Sequence, residues 1–247
     1  FTTTYNMKNR ILLSLFITIF TTVISAQSLT VADSILSEIQ TKTIVDSNKE
    51  DTLVFKIAYP TNYDSTKTYP VLLGLSGGNQ NEAIVNYCYA AWFRSDYFHN
   101  HITIMPVNSK GKNLLHYTQE EIVNVLNAIK NNFQTTANNW IIVGTSNGGR
   151  ATFNFIAQEP ALFEGGILIP GSIGKTVEIN KDWSHMKFVL AYGEKDSEGW
   201  IKGTEYTKEV LTKYTPKIET IVLKGQGHIL PIEYNLDFVY QQYFQIK

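Results

Sequence analysis

The sequence predicts an α/β fold, a mostly parallel sheet covered by helices. Three observations carry this. Strand-like and helix-like segments alternate with short connections from Leu53 to the C-terminus. Several strands are apolar throughout, Val71–Leu75 and Trp140–Val143 above all, as strands buried on both faces must be. Finally, Gly144-Thr145-Ser146-Asn147-Gly148 stands where a strand gives way to a helix, and such G-x-S-x-G turns set a serine above a sheet.

The chain has 247 residues, 43% hydrophobic and 17% charged, enough for one sizeable core. Residues 1–26 read as a leader. Met7-Lys8-Asn9-Arg10 is a basic start, Ile11–Ile24 is mostly apolar, and Ser25-Ala26-Gln27 offers a cleavage site. The apolar run is short against the roughly 20 residues of a membrane span. The expected location is therefore secreted or periplasmic, with Met7 the expected start and no stable membrane insertion after cleavage. Removing Lys8 and Arg10 leaves 19 basic against 22 acidic residues, a net charge of −3. That balance gives no reason to expect nucleic acid as a partner. Cys88 is the single cysteine, so no disulfide can form within the chain; flanked by tyrosines, it reads as a small buried hydrophobe.

Residues 27–50 carry apolar residues at Leu29, Val31, Ile35, Leu36 and Ile39 and predict a short helix or a linker. The main domain is expected over 51–247. Leu53–Tyr59 is strand-like and stops at Pro60. Val71–Leu75 is followed by the loop Ser76-Gly77-Gly78-Asn79-Gln80-Asn81 and a helix from Glu82 to about His99. Ile102–Val107 is a strand. Thr118 can cap a helix in which Glu121 completes a capping box and Ile122, Val125, Leu126 and Ile129 form one face. After the Trp140 strand and its turn, a helix runs from Ala151 to Gln158. Gly166–Ile169 and Phe188–Tyr192 are strands, Thr204–Tyr214 a helix, Ile218–Leu223 a strand and Pro231–Phe244 a helix. No repeat or low-complexity linker divides the domain.

A serine hydroxyl needs a base, the base needs orienting, and the oxyanion needs donors. Ser146 is the candidate nucleophile. His228, in a loop after the last predicted strand that Gly225 and Gly227 allow to bend back, is the candidate base over His99, His101, His116 and His185. Asp196, following the Phe188–Tyr192 strand, is the candidate orienting acid, with Glu194 and Asp182 as rivals. The backbone amide of Asn147 is the first oxyanion donor. The second is expected from Gly78, with Gly77 and Asn79 as neighbours. Each of these follows its own strand, and the order Ser, Asp, His is a specific one.

On these motifs, Leu75-Ser76-Gly77-Gly78 and Gly144 to Gly149, the chain from Leu53 onward resembles an α/β-hydrolase. It looks most like small extracytoplasmic esterases of the feruloyl esterase, polyhydroxyalkanoate depolymerase and carboxylesterase type. The resemblance implies an eight-stranded mixed sheet, a Ser-His-Asp triad, a covalent acyl-enzyme and no cofactor; no metal site is expected. It departs at Ser76, where such loops often carry His. Only about 16 residues separate Ile169 from Met186, too few for a large cap domain. Trp92 and Trp200 are candidate substrate-binding residues, and Arg150 could anchor an acidic substrate group. The substrate expected is a small-molecule or polymer-linked ester. A serine peptidase of the same fold, or a non-catalytic binding module built on it, are the alternatives.

Overall fold

The computed structural model describes residues 31–46, 51–108 and 111–247. The leader and its cleavage site lie outside the described residues. Among the described residues eight strands form one sheet: β1 (Ile39–Asp46), β2 (Asp51–Ala58), β3 (Val71–Leu75), β4 (Ile102–Val107), β5 (Trp140–Gly144), β6 (Phe163–Leu168), β7 (Lys187–Gly193) and β8 (Ile218–Leu223). Their spatial order is β1-β2-β4-β3-β5-β6-β7-β8. β1 and β2 pair antiparallel, as do β2 and β4; all other pairs are parallel.

Successive residues of a strand point to opposite faces, and the central strands show both faces buried. On β3, Val71, Leu73 and Leu75 join one core and Leu72 the other. On β5, Trp140 and Ile142 face the first core while Ile141 and Val143 face the second. The helices are α1 (Asp33–Leu36), α2 (Glu82–Cys88), α3 (Gln119–Asn132), α4 (Asn147–Gln158), α5 (Glu198–Leu211) and α6 (Asp237–Gln245). Ile122, Val125, Leu126 and Ile129 of α3, with Phe153, Phe155 and Ile156 of α4, fill the first core. Val85 and Cys88 of α2, with Val239, Tyr240 and Tyr243 of α6, fill the second. The Thr118–Glu121 capping box is present in both directions and opens α3; a cap of this kind is worth about 1 kcal/mol.

Several expectations need correction, among them that α5 starts at Glu198 rather than Thr204 and β6 at Phe163 rather than Gly166. Residues 39–46 are neither helix nor linker but the edge strand β1, registered along all of β2 from Ile39 opposite Ala58 to Asp46 opposite Asp51. Among the described residues of this segment, only Asp33–Leu36 is helical. The helix expected to His99 ends at Cys88 and passes into a π-helical turn, Tyr89–Phe93. That turn breaks the 3.6-residue spacing and buries five consecutive side chains. The last helix starts at Asp237 rather than Pro231.

Candidate active site

The Gly144–Gly148 turn carries Ser146 from β5 into α4. Ser146 has φ +54° and ψ −118°, a conformation costly for any residue with a side chain. It persists because the surroundings fix it: the Ser146 amide donates to the Pro170 carbonyl at 2.8 Å and the Thr145 amide to the Leu75 carbonyl at 3.1 Å. The flanking glycines are there for close approach. A Cβ on Gly144 would lie 2.3 Å from Thr152 Oγ1, and one on Gly148 1.9 Å from the Leu75 carbonyl oxygen.

His228 reaches this serine from the loop after β8. Its Nε2 lies 2.9 Å from Ser146 Oγ, and its Nδ1 lies 2.9 and 3.1 Å from the two Asp196 carboxylate oxygens. Asp196 follows β7, its side chain only 1% exposed against 32% for that of His228. The two loops pack backbone to backbone. The Lys195 amide donates to the Gln226 carbonyl at 2.7 Å, and the Asp196 amide turns back onto Gly193. The Ser197 amide also donates to Asp196 Oδ1 at 2.6 Å, fixing the carboxylate. The rival acids are engaged elsewhere. Glu194 accepts from the Gly225 amide and Lys224, which hold its carboxyl below the usual range. Asp182 caps the exposed turn at Ser184.

The loop after β3 lies against the serine. A Cβ on Gly77 would sit 3.1 Å from Ser146 Cβ, and Gly78 has φ +54°. Asn147 opens α4, so its backbone N–H belongs to the first turn, where no carbonyl of the helix can accept it. Around this loop stands a set of amides that the sequence reading did not single out. The Gly78 carbonyl accepts from Asn113 Nδ2 at 2.7 Å and from Asn147 Nδ2 at 3.0 Å. Gln80, fully buried, donates to the Ser76 carbonyl at 3.0 Å and accepts from the Leu114 amide at 2.7 Å. Asn108 donates to the Asn79 carbonyl at 2.9 Å. The density of Asn and Gln at 79–81, 108 and 113 was the available signal. Ser76 is buried, as is Cys88 behind it, whose thiol burial pushes up to about 11.

The two tryptophans separate. Trp200, in α5, is half-buried with its ring 4.9 Å from that of His228, tilted by 32°. Trp92 is a correction: it is 4% exposed and packs in the second core against Tyr87, with its carbonyl accepting from the Tyr240 hydroxyl. The π turn buries it in that core.

Solved structures share this architecture. The chain superposes on a thermostable esterase with a TM-score of 0.60 at 16% identity, over 77% of this chain and 56% of that one. It superposes on the feruloyl esterase module of Clostridium thermocellum, a mutant complexed with sinapinate, with a TM-score of 0.61 at 15% identity, over 87% and 93%. The fold is that of an α/β-hydrolase. A putative dipeptidyl aminopeptidase IV from Bacteroides ovatus shares it too, with a TM-score of 0.63 at 16% identity over 84% of this chain. The chain spans little more than half of the thermostable esterase, 56%, and 35% of the peptidase. No protein-family model and no curated protein sequence matches it.

Proposed function

We propose that this chain is an exported serine hydrolase that cleaves carboxylic esters through a Ser-His-Asp triad. One observation carries the reading: the unbroken hydrogen-bonded series Ser146–His228–Asp196, beginning at a serine held at positive φ. Export rests on the basic and apolar pattern of residues 7–26 alone.

Ser146 Oγ attacks the ester carbonyl while His228 Nε2 takes its proton. Asp196, facing Nδ1, keeps the proton of the neutral ring on that nitrogen and stabilises the imidazolium once it forms. The backbone amides of Asn147 and Gly78 receive the developing oxyanion. His228 then gives its proton to the departing alcohol as the C–O bond breaks, leaving an acyl group on Ser146. Water, deprotonated by the same imidazole, releases the acid and restores the hydroxyl.

Ester rather than peptide cleavage is favoured by the surroundings of the site. A peptidase that holds a free amino terminus needs unengaged acids near the triad, and Glu194 is tied to Lys224 and Gly225. The test is hydrolysis of 4-nitrophenyl butyrate and labelling by a fluorophosphonate, both compared with Ser146→Ala. Turnover and labelling that vanish in the variant support the reading. A wild-type protein that neither hydrolyses short esters nor takes the label rules it out.

A further inference from the structure

One arginine beside the site has no acidic partner among the described residues. The Arg150 amide donates to the Ser146 carbonyl at 3.0 Å, so its side chain leaves α4 one turn after the serine. One turn is about 5.4 Å along the axis. Its guanidinium lies 4.2 Å over the Trp200 ring, the same ring that lies tilted against His228. Such stacking holds the planar group in place while leaving its N–H edge open for a bidentate acceptor. The other described arginine, Arg94, meets both oxygens of Glu38, at 2.7 and 2.8 Å. Among the described residues no carboxylate pairs with Arg150. It borders a cavity of about 430 Å3 between the loop before α3 and the β6–β7 loop. The polar side chains lining that cavity are His116, Asn154, Ser172 and Thr176, and none is acidic.

From this we infer that Arg150 is a carboxylate-binding subsite, and that the substrate is an ester bearing a carboxylate within a few bonds of the scissile carbonyl. This rests on the esterase reading above. Arg150 is a specificity residue: its charge and two parallel N–H donors meet the substrate carboxylate while the ester carbonyl lies at Ser146. The adjoining hydroxyl and amide groups suit a polar chain more than a lipid tail.

The test compares 4-nitrophenyl hemisuccinate with neutral 4-nitrophenyl butyrate, in wild type, Arg150→Gln and Arg150→Lys. The expected result is a selectivity ratio, kcat/KM of the hemisuccinate over that of the butyrate, that falls about tenfold or more in Arg150→Gln, mostly through KM. Arg150→Lys, which keeps the charge and loses the planar fork, should fall in between. A second measurement does not need turnover: glutarate should slow fluorophosphonate labelling of Ser146 in wild type and not in Arg150→Gln. A ratio unchanged within about twofold, with both esters hydrolysed, overturns the subsite and leaves the esterase reading standing. No turnover of either ester and no labelling removes both.

Discussion

Asn113 donates its side-chain amide to the carbonyl of Gly78 at 2.7 Å, from a loop 35 residues further along the chain. The same side chain accepts from the Leu115 amide at 2.9 Å, so it is itself fixed. With Asn147 bonding the same oxygen, the Gly78–Asn79 peptide is held, and the Gly77 carbonyl, whose peptide carries the Gly78 N–H, accepts from the Gln80 amide at 3.2 Å, so the loop is braced on both sides of Gly78. An oxyanion donor acts only if it is already aimed where charge develops. Asn113→Ala should therefore lower kcat by roughly tenfold and leave KM nearly unchanged. Steady-state kinetics on 4-nitrophenyl butyrate decide this. A variant that changes KM and not kcat would mean that Asn113 shapes the pocket instead.

Asp196 and Glu194 stand two residues apart and make different predictions. Asp196 faces the His228 imidazole from a buried position, whereas Glu194 braces the Lys224–Gly225 turn. Asp196→Asn keeps the shape but offers a donor where the ring N–H needs an acceptor. A loss in kcat of about 10⁴ is expected. Glu194→Gln should change kcat less than about threefold, since only surface contacts are lost. The reverse pattern would reassign the orienting acid.

What could be read from the chain follows from burial. Strands β3 and β5, and β7 from Phe188 to Ala191, are covered on both sides, so these runs are apolar and were legible. Edge strand β1 has one wet side, with Val45 66% exposed, and its mixed pattern does not announce a strand. The π turn at Tyr89–Phe93 is one residue out of helical phase, which no local pattern signals; Trp92 was misplaced for that reason. Ser146, Asp196 and His228 were legible as candidates because each stands in the turn or loop that follows its own strand. Asn113 and Gln80 were not, because a loop amide looks the same in sequence whether it meets water or a carbonyl.

Two glycine substitutions separate close approach from mere helix content. On Gly148 a Cβ would meet the Leu75 carbonyl at 1.9 Å and the Ser76 carbonyl oxygen at 2.6 Å, backbone atoms that cannot step aside. Gly148→Ala should cost about 3 kcal/mol or more, through displacement of β3 from α4. Gly199, in the first turn of α5, has nothing within 4 Å of the added carbon. Gly199→Ala should be neutral to stabilising by up to about 1 kcal/mol. Urea denaturation of the two variants measures both. Equal effects would mean that the contact at Gly148 relaxes.

The acid limb of stability should be set in part by His101, far from the triad. The ring packs edge-on to Phe98 at 5.7 Å, and its buried Nδ1 has no partner among the described residues. Burial, helped by the charge of His99, pulls its pKa down from 6.5 to about 4. Between those two values the unfolded chain takes up a proton at this ring that the folded chain refuses. Stability therefore falls as pH drops through that window, by up to roughly 3 kcal/mol from this group, and owes nothing to it above about pH 7. The urea midpoint of wild type should drop between pH 7 and pH 4.5. In His101→Gln, which cannot titrate, the drop should be visibly smaller. Parallel pH profiles for the two proteins would assign the acid limb to other groups.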